Sequence, residues 1–149
     1  KLLNKTQVNS IFVIFWIQYV THGVHFGGLP EATTPQIDSA LIDRLIQVES
    51  GGDPTAIGAA GEIGLGQIME ATASNPGFGV AGIDPATLTD PTVNRQFTTD
   101  YLTGLSDHYG GDLEKALAAY NWGAGNVNQQ GLDAMPASTR SYIDSILNV

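Results

Sequence analysis

There is no cysteine anywhere in the 149 residues. That excludes a disulfide framework, a thiolate nucleophile and a Cys-ligated metal site. Basic residues are scarce as well: six Lys and Arg stand against fifteen Asp and Glu, for a formal net charge of −9. No nucleic acid is expected as a partner, because phosphate contacts need clustered Lys and Arg. A neutral glycan tolerates an acidic protein, whereas an anionic polymer would have to be gripped by local donors against the overall field. His22, His25 and His108 pair with no carboxylate at a metal-ligand spacing, so neither a metal nor a cofactor is expected. Neither a P-loop nor a dinucleotide fingerprint fits the glycine-rich stretches, and no Ser/His/Asp or zinc constellation suggests a peptidase. Internal repeats and low-complexity tracts are missing too.

What is present suits one globular domain. With 42% hydrophobic residues the chain can bury a real core, and eighteen glycines with seven prolines imply many turns between short elements. Residues 1–34 differ from the rest. Ile11 to Val20, IFVIFWIQYV, is a nearly unbroken apolar and aromatic run preceded by Lys1 and Lys5. Ten residues are too few to span a bilayer as a helix, and no small-residue cleavage site follows. A packed arm is the first reading, a signal remnant the second, and a segment touching membrane or virion protein the third. The polar linker EATTPQ ends this extension, and 35–149 is expected to be the main domain, monomeric as far as its pattern goes.

Within that domain the periodicity predicts helices. Thr34-Pro35 suits an N-cap and first helical position, and Ile37, Leu41, Leu45 and Val48 make a stripe widened by Ile42 and Ile46. Ile68 to Ala73 is a short helix stopped by Asn75-Pro76-Gly77, with Phe78 as an apolar plug in the loop beyond. Asp90-Pro91 starts a long helix carrying Val93, Phe97, Tyr101 and Leu105, read as plain scaffold. Asp112 caps LEKALAAYNW, which is expected to end near Gly123, with Tyr120 and Asn121 at the mouth of a turn. For Tyr120 the bland alternative is a core aromatic with a satisfied hydroxyl, and for Asn121 a C-terminal cap. Pro136 opens a last helix bearing Tyr142, Ile143, Ile146 and Leu147. The fold class is mainly α: a bundle of short helices with one small glycine-rich ribbon.

The stretch Glu49 to Gln67, ESGGDPTAIGAAGEIGLGQ, carries the chemistry. Glu49 stands at a helix end that Ser50-Gly51-Gly52 terminates. There a carboxylate meets the negative end of the helix dipole, and partial burial would add to the effect; both favour the protonated form. Such a carboxyl can serve as a general acid near neutral pH. Taken alone, the local pattern fits a surface glutamate better.

Four blocks alter that weighting. Glu49-Ser50 with Asp53-Pro54, then Gly64-Leu65-Gly66-Gln67, then Ala119-Tyr120-Asn121-Trp122-Gly123-Ala124-Gly125-Asn126-Val127, then Pro136, Thr139 and Tyr142 resemble, in order and spacing, the soluble lytic transglycosylases of the lysozyme-like superfamily. The resemblance covers Gln36 to Val149. It implies an α+β lysozyme-like domain in which the ribbon flanks an active-site cleft. It implies peptidoglycan glycan strands as substrate, cut at the MurNAc-β-1,4-GlcNAc bond with release of 1,6-anhydro ends. One glutamate, Glu49, would act as acid and then base. Gln67, Tyr120, Asn121 and Tyr142 map onto substrate-binding or cleft-lining positions, and Ser50 onto a cap or a supporting place beside them. The expected setting is the periplasm and cell wall or a phage virion, the wording of NPGFGV and AYNWGAGNV being phage-like.

Four departures qualify the match. Gly58 replaces a common Ser, which would remove one hydroxyl contact. Gly66 replaces Met, which would remove bulk from the cleft wall. Ser138 stands where a Glu often precedes the Thr. Glu62 takes the place of a small residue, where distant animal lysozymes carry a second carboxylate. That opens two alternatives: a hydrolase using Glu49 and Glu62, or a non-catalytic wall-binding or virion structural module. Glu62 could equally be a loop acid that orders the ribbon by accepting backbone N–H groups.

Overall fold

Asp38 begins the first helix of the computed structural model, which describes residues 37–147. The arm expected over 1–34, its run Ile11–Val20, His22, His25 and the Thr34-Pro35 cap lie outside these residues. Helices are numbered here in order among the described residues. Asp38 Oδ1 accepts from Leu41 N at 2.8 Å, meeting one of the unpaired donors of the first turn of α1 (Ser39–Ser50). Leu41, Ile42, Leu45 and Ile46 then turn inward, while Val48, counted in the expected stripe, is 40% exposed. Gly51 closes α1 in the left-handed conformation, φ 65°, with its N–H on Gln47 O; a residue with a Cβ would be strained there.

Next comes the ribbon. Ile57 pairs with Ile63 and Ile63 with Ile68, both antiparallel, as isolated bridges. Ile63 and Ile68 exchange both backbone bonds, at 3.0 and 3.1 Å. The short α2 (Glu70–Ser74) and a 3₁₀ turn (Pro85–Thr87) follow. Asp90 caps α3 (Pro91–His108) as the Asp-Pro pair predicts, accepting from Thr92 N and Val93 N. Phe78 packs on Tyr101 and His108 of α3, consistent with its expected role as a plug.

Asp112 caps α4 (Leu113–Ala118), which passes into a π-helical turn, Ala119–Gly123. Gly123 leaves the helical region, at φ 95° and ψ 134°, and α5 (Ala124–Gln130) begins beyond it. A 3₁₀ turn (Leu132–Ala134) leads to α6 (Ala137–Leu147), which buries Thr139, Tyr142, Ile143 and Ile146; Leu147 is 36% exposed, outside the face expected of it.

Two apolar clusters result. The larger joins α1, α4, α5 and α6 with Leu102 and Leu105 of α3. The smaller gathers Ile68, Ala73, Leu88 and Phe97 beneath the ribbon. Each fully buried Leu or Ile contributes roughly 1.5–3 kcal/mol by leaving water. Tyr101 and Tyr120 touch both clusters and stand at their seam. Arg44 Nε ties α1 to α6 at Ile146 O, 2.7 Å, and Arg95 ties α3 to Asp43, also 2.7 Å. Among the described residues no helix is long and apolar enough to cross a membrane.

Candidate active site

A cavity of about 320 Å³ opens between the ribbon and the π-turn, lined by Glu49, Gly58, Ala59, Glu62, Gln67, Met69, Tyr120 and Asn121. Residues far apart in sequence meet there because three backbone features aim them.

The first is the end of α1. Glu49 lies on its last turn, half-buried, and Tyr142 of α6 donates a 2.7 Å hydrogen bond to Glu49 Oε1. Burial pushes the Glu49 carboxyl from an ordinary 4.5 up to about 7; the Tyr142 bond opposes this, and the charge of Glu62 adds to it. Ser50 does not line the cavity. Its hydroxyl donates to Leu65 O at 2.8 Å and so straps the helix end to the ribbon. Tyr142 is also placed differently from the expected cleft wall: it is buried behind Glu49, with its phenol spent on that carboxyl.

The second is the ribbon. Gln67 has φ 47°, a left-handed backbone uncommon outside glycine. Its Nε2 donates to Gly64 O at 2.9 Å and Ala56 O at 3.3 Å. Glu62 lies on the same wall, where its Oε2 accepts from Ala60 N at 2.9 Å. The ribbon is in turn held from below by a residue the sequence did not single out. Asn94 of α3, fully buried, accepts from Gly66 N and donates to Ile63 O and Leu88 O, each at 2.9 Å. The signal for it was a polar pair, Asn94 and Thr98, one turn apart on a helix face that is otherwise apolar. A Cβ on Gly66 would run into Thr98 Oγ1 and lie 2.9 Å from the Tyr120 hydroxyl. Gly66 therefore lets the ribbon close on α3; it does not widen the cleft, as its replacement of Met suggested.

The third is the π-turn. Tyr120 donates to Gly66 O at 2.8 Å, and Asn121 Oδ1 accepts from Thr139 Oγ1 at 2.9 Å. Asn121 thus spends its amide oxygen on Thr139 of α6 and not on a helix end. Burial holds the phenols of Tyr120 and Tyr142 well above the usual phenol range, so both stay neutral donors. Among the described residues no three His, Asp or Glu side chains gather as metal ligands. Glu49, Glu62, Gln67, Tyr120 and Asn121 share one cavity, while Ser50 and Tyr142 support it from outside.

The arrangement resembles known proteins. A family model described as the transglycosylase SLT domain matches residues 30–143. A transglycosylase of Enterobacteria phage PRD1 is 32% identical over 111 residues, covering 74% of this chain and 37% of its own length. Membrane-bound lytic murein transglycosylase C of Photorhabdus laumondii is 33% identical over 102 residues, covering 61% and 29%. The 70 kDa soluble lytic transglycosylase of Escherichia coli superposes with a TM-score of 0.64 at 28% identity, over 74% of this chain and 21% of that one. An inactive variant of lytic transglycosylase Slt from Pseudomonas aeruginosa gives 0.63 at 23% identity, over 94% and 28%, a likeness of fold. The chain thus spans about a third of the length of these curated relatives.

Proposed function

The chain belongs to the transglycosylase SLT domain family, and on that premise we propose that it cleaves the MurNAc-β-1,4-GlcNAc bond of peptidoglycan as a lytic transglycosylase. The observation that carries this reading is Glu49: a half-buried carboxyl with a pKa of about 7, held by Tyr142 and open to a cavity that Gln67 and Asn121 also line. Near neutral pH such a group can both give and take a proton.

In the proposed reaction protonated Glu49 donates to the glycosidic oxygen as the bond breaks. The resulting carboxylate then takes the proton of the muramyl C6 hydroxyl, whose oxygen closes on the anomeric carbon. The proton balance returns Glu49 to its starting state, and the product ends in a 1,6-anhydro ring. The nucleophile belongs to the substrate, so one carboxyl suffices and positioning supplies much of the acceleration. Gln67 and Asn121 offer amide groups that would orient the sugars, while Tyr120 lines the cavity and fixes the ribbon at Gly66. The acidic surface is compatible with a substrate read through hydroxyl and N-acetyl groups. Such an enzyme works outside the cytoplasm, at the cell wall or from a virion.

A hydrolase is the second reading, favoured by one observation: Glu62 lines the same cavity as Glu49. Paired carboxyls would then cut with water, at separations of roughly 5–5.5 Å for retention and 6.5–9.5 Å for inversion. Mass spectrometry of muropeptides released from purified sacculi separates the two. Anhydro ends are expected; reducing ends would establish hydrolysis. Glu49→Gln should abolish release while the fold survives. Lysis by that variant would refute the assignment of Glu49, and sacculus binding without release by the parent chain would leave a wall-binding module.

A further inference from the structure

Two departures from the family pattern, no side chain at 58 and an acid at 62, form a single feature. Gly58 N donates to Glu62 O at 2.8 Å and Gly61 N to Gly58 O at 3.1 Å, closing a tight turn. Within that turn Glu62 Oε2 accepts from Ala60 N. Gly58 is not among the glycines with positive φ, so its backbone does not demand glycine. A Cβ there would collide with the Glu62 carboxylate and come within 2.6 Å of Gln67 Oε1, so a side chain at 58 would push both ends out of their present places. The bare position leaves room for a carboxylate in the cleft beside Gln67, on the cavity that Glu49 faces.

We propose that Glu62 is a positioning residue that acts through Glu49: admitted to the cleft by the missing side chain at 58 and anchored on Ala60 N, its negative charge keeps the proton on Glu49. This rests on the reading of Glu49 as acid and base, and deepens it. The groups facing Glu49 are Tyr142 from α6, Tyr120 from the π-turn and Glu62 from the ribbon. The two phenols bring no charge. Glu62 brings one, at a place set by the turn and not by a free side chain.

The test uses the full chain carrying Glu62→Gln, which keeps the shape and an oxygen for Ala60 N–H but removes the charge. The titration of Glu49 is followed by carboxyl ¹³C NMR, with Glu49→Gln assigning the signal, and muropeptide release is measured against pH. The midpoint of Glu49 should fall by about 0.3 pH unit or more, a twofold change in proton affinity. Release should fail first on the alkaline side, at correspondingly lower pH. The variant Glu62→Ala, which removes the whole carboxylate and leaves Gly58 in place, should fold and show the same lowered midpoint. An unchanged midpoint in either variant overturns the proposal. So does release lost equally at every pH in Glu62→Gln, which would make Glu62 a direct participant. The midpoint is read without substrate, so it decides this point even if Glu49→Gln were found to release muropeptides and the proposed function failed.

Discussion

The phenol of Tyr142 donates a 2.7 Å hydrogen bond to Oε1 of Glu49 across 93 residues of sequence. Burial alone would make this carboxyl a poor base by keeping it neutral. The phenol opposes that tendency, because a bond to the charged form lowers the pKa. The balance leaves Glu49 near 7, where both protonation states are accessible.

Tyr142→Phe removes that opposition. The Glu49 pKa should rise beyond about 7, and the alkaline limb of the rate profile should move up with it. The overall rate should drop, because the carboxyl loses the partner that orients it. A hydrogen bond to a charged acceptor is worth about 1.5–3 kcal/mol, so the stability loss should be larger at pH 8 than at pH 5, where Glu49 is protonated. Thermal melts at the two pH values, with a pH–rate profile, check this.

Glu49→Gln should stabilise the fold in a pH-dependent way. The folded pKa of about 7 lies above the ordinary 4.5, so the folded chain holds this proton more tightly than the unfolded chain does. Below pH 4.5 both states carry the proton and there is no penalty. The penalty grows as pH rises through the window from 4.5 to 7 and is constant above it. At pH 8 it amounts to about 3 kcal/mol at most, less for partial exposure to solvent. The gain from Gln should therefore be near zero at pH 4 and largest at pH 8, by calorimetry at both. An equal gain at both pH values would contradict the raised carboxyl.

Asn94→Ala should damage the site from beneath. Three bonds join Asn94 to Gly66 N, Ile63 O and Leu88 O, and none of these groups is offered a replacement by alanine. The expected loss is about 2–4 kcal/mol, from partners left unsatisfied in the interior. Muropeptide release should fall further than the unfolded fraction explains, because Gln67 loses its platform. Urea unfolding and initial rates, measured where the variant is still folded, separate the two effects.

Much of this was legible in the chain. Local signals decided the helix ends: Gly51 after Glu49, Asp90 before Pro91, Asp112 before Leu113. The ribbon followed from its glycines, and the cluster of Glu49, Gln67, Tyr120 and Asn121 from the resemblance. The misreadings came from tertiary contacts. Gly123 does leave the helical region, at φ 95° and ψ 134°, but no local signal showed the π-turn before it. Gly66 looked like a gap in the cleft wall because nothing local shows Thr98 behind it. Asn94 was passed over because an amphipathic stripe weighs apolar residues, and a buried amide shows its purpose only once its three partners are in place. Thr34 was a reasonable cap by type, but Asp38 is the residue that caps α1.

The π-turn at Ala119–Gly123 has a consequence for how this segment could vary. Gly123 closes it at φ 95° and ψ 134°, outside the helical region, so the turn sets the direction in which α5 departs. Leu117 before it and Val127 after it both reach the interior with the turn at this length. Dropping a single residue here would not trim a loop. It would redirect α5, draw Val127 from its interior place and move Asn121 off Thr139. Along these five positions the length is held, and so are the identities of Tyr120, Asn121 and Gly123.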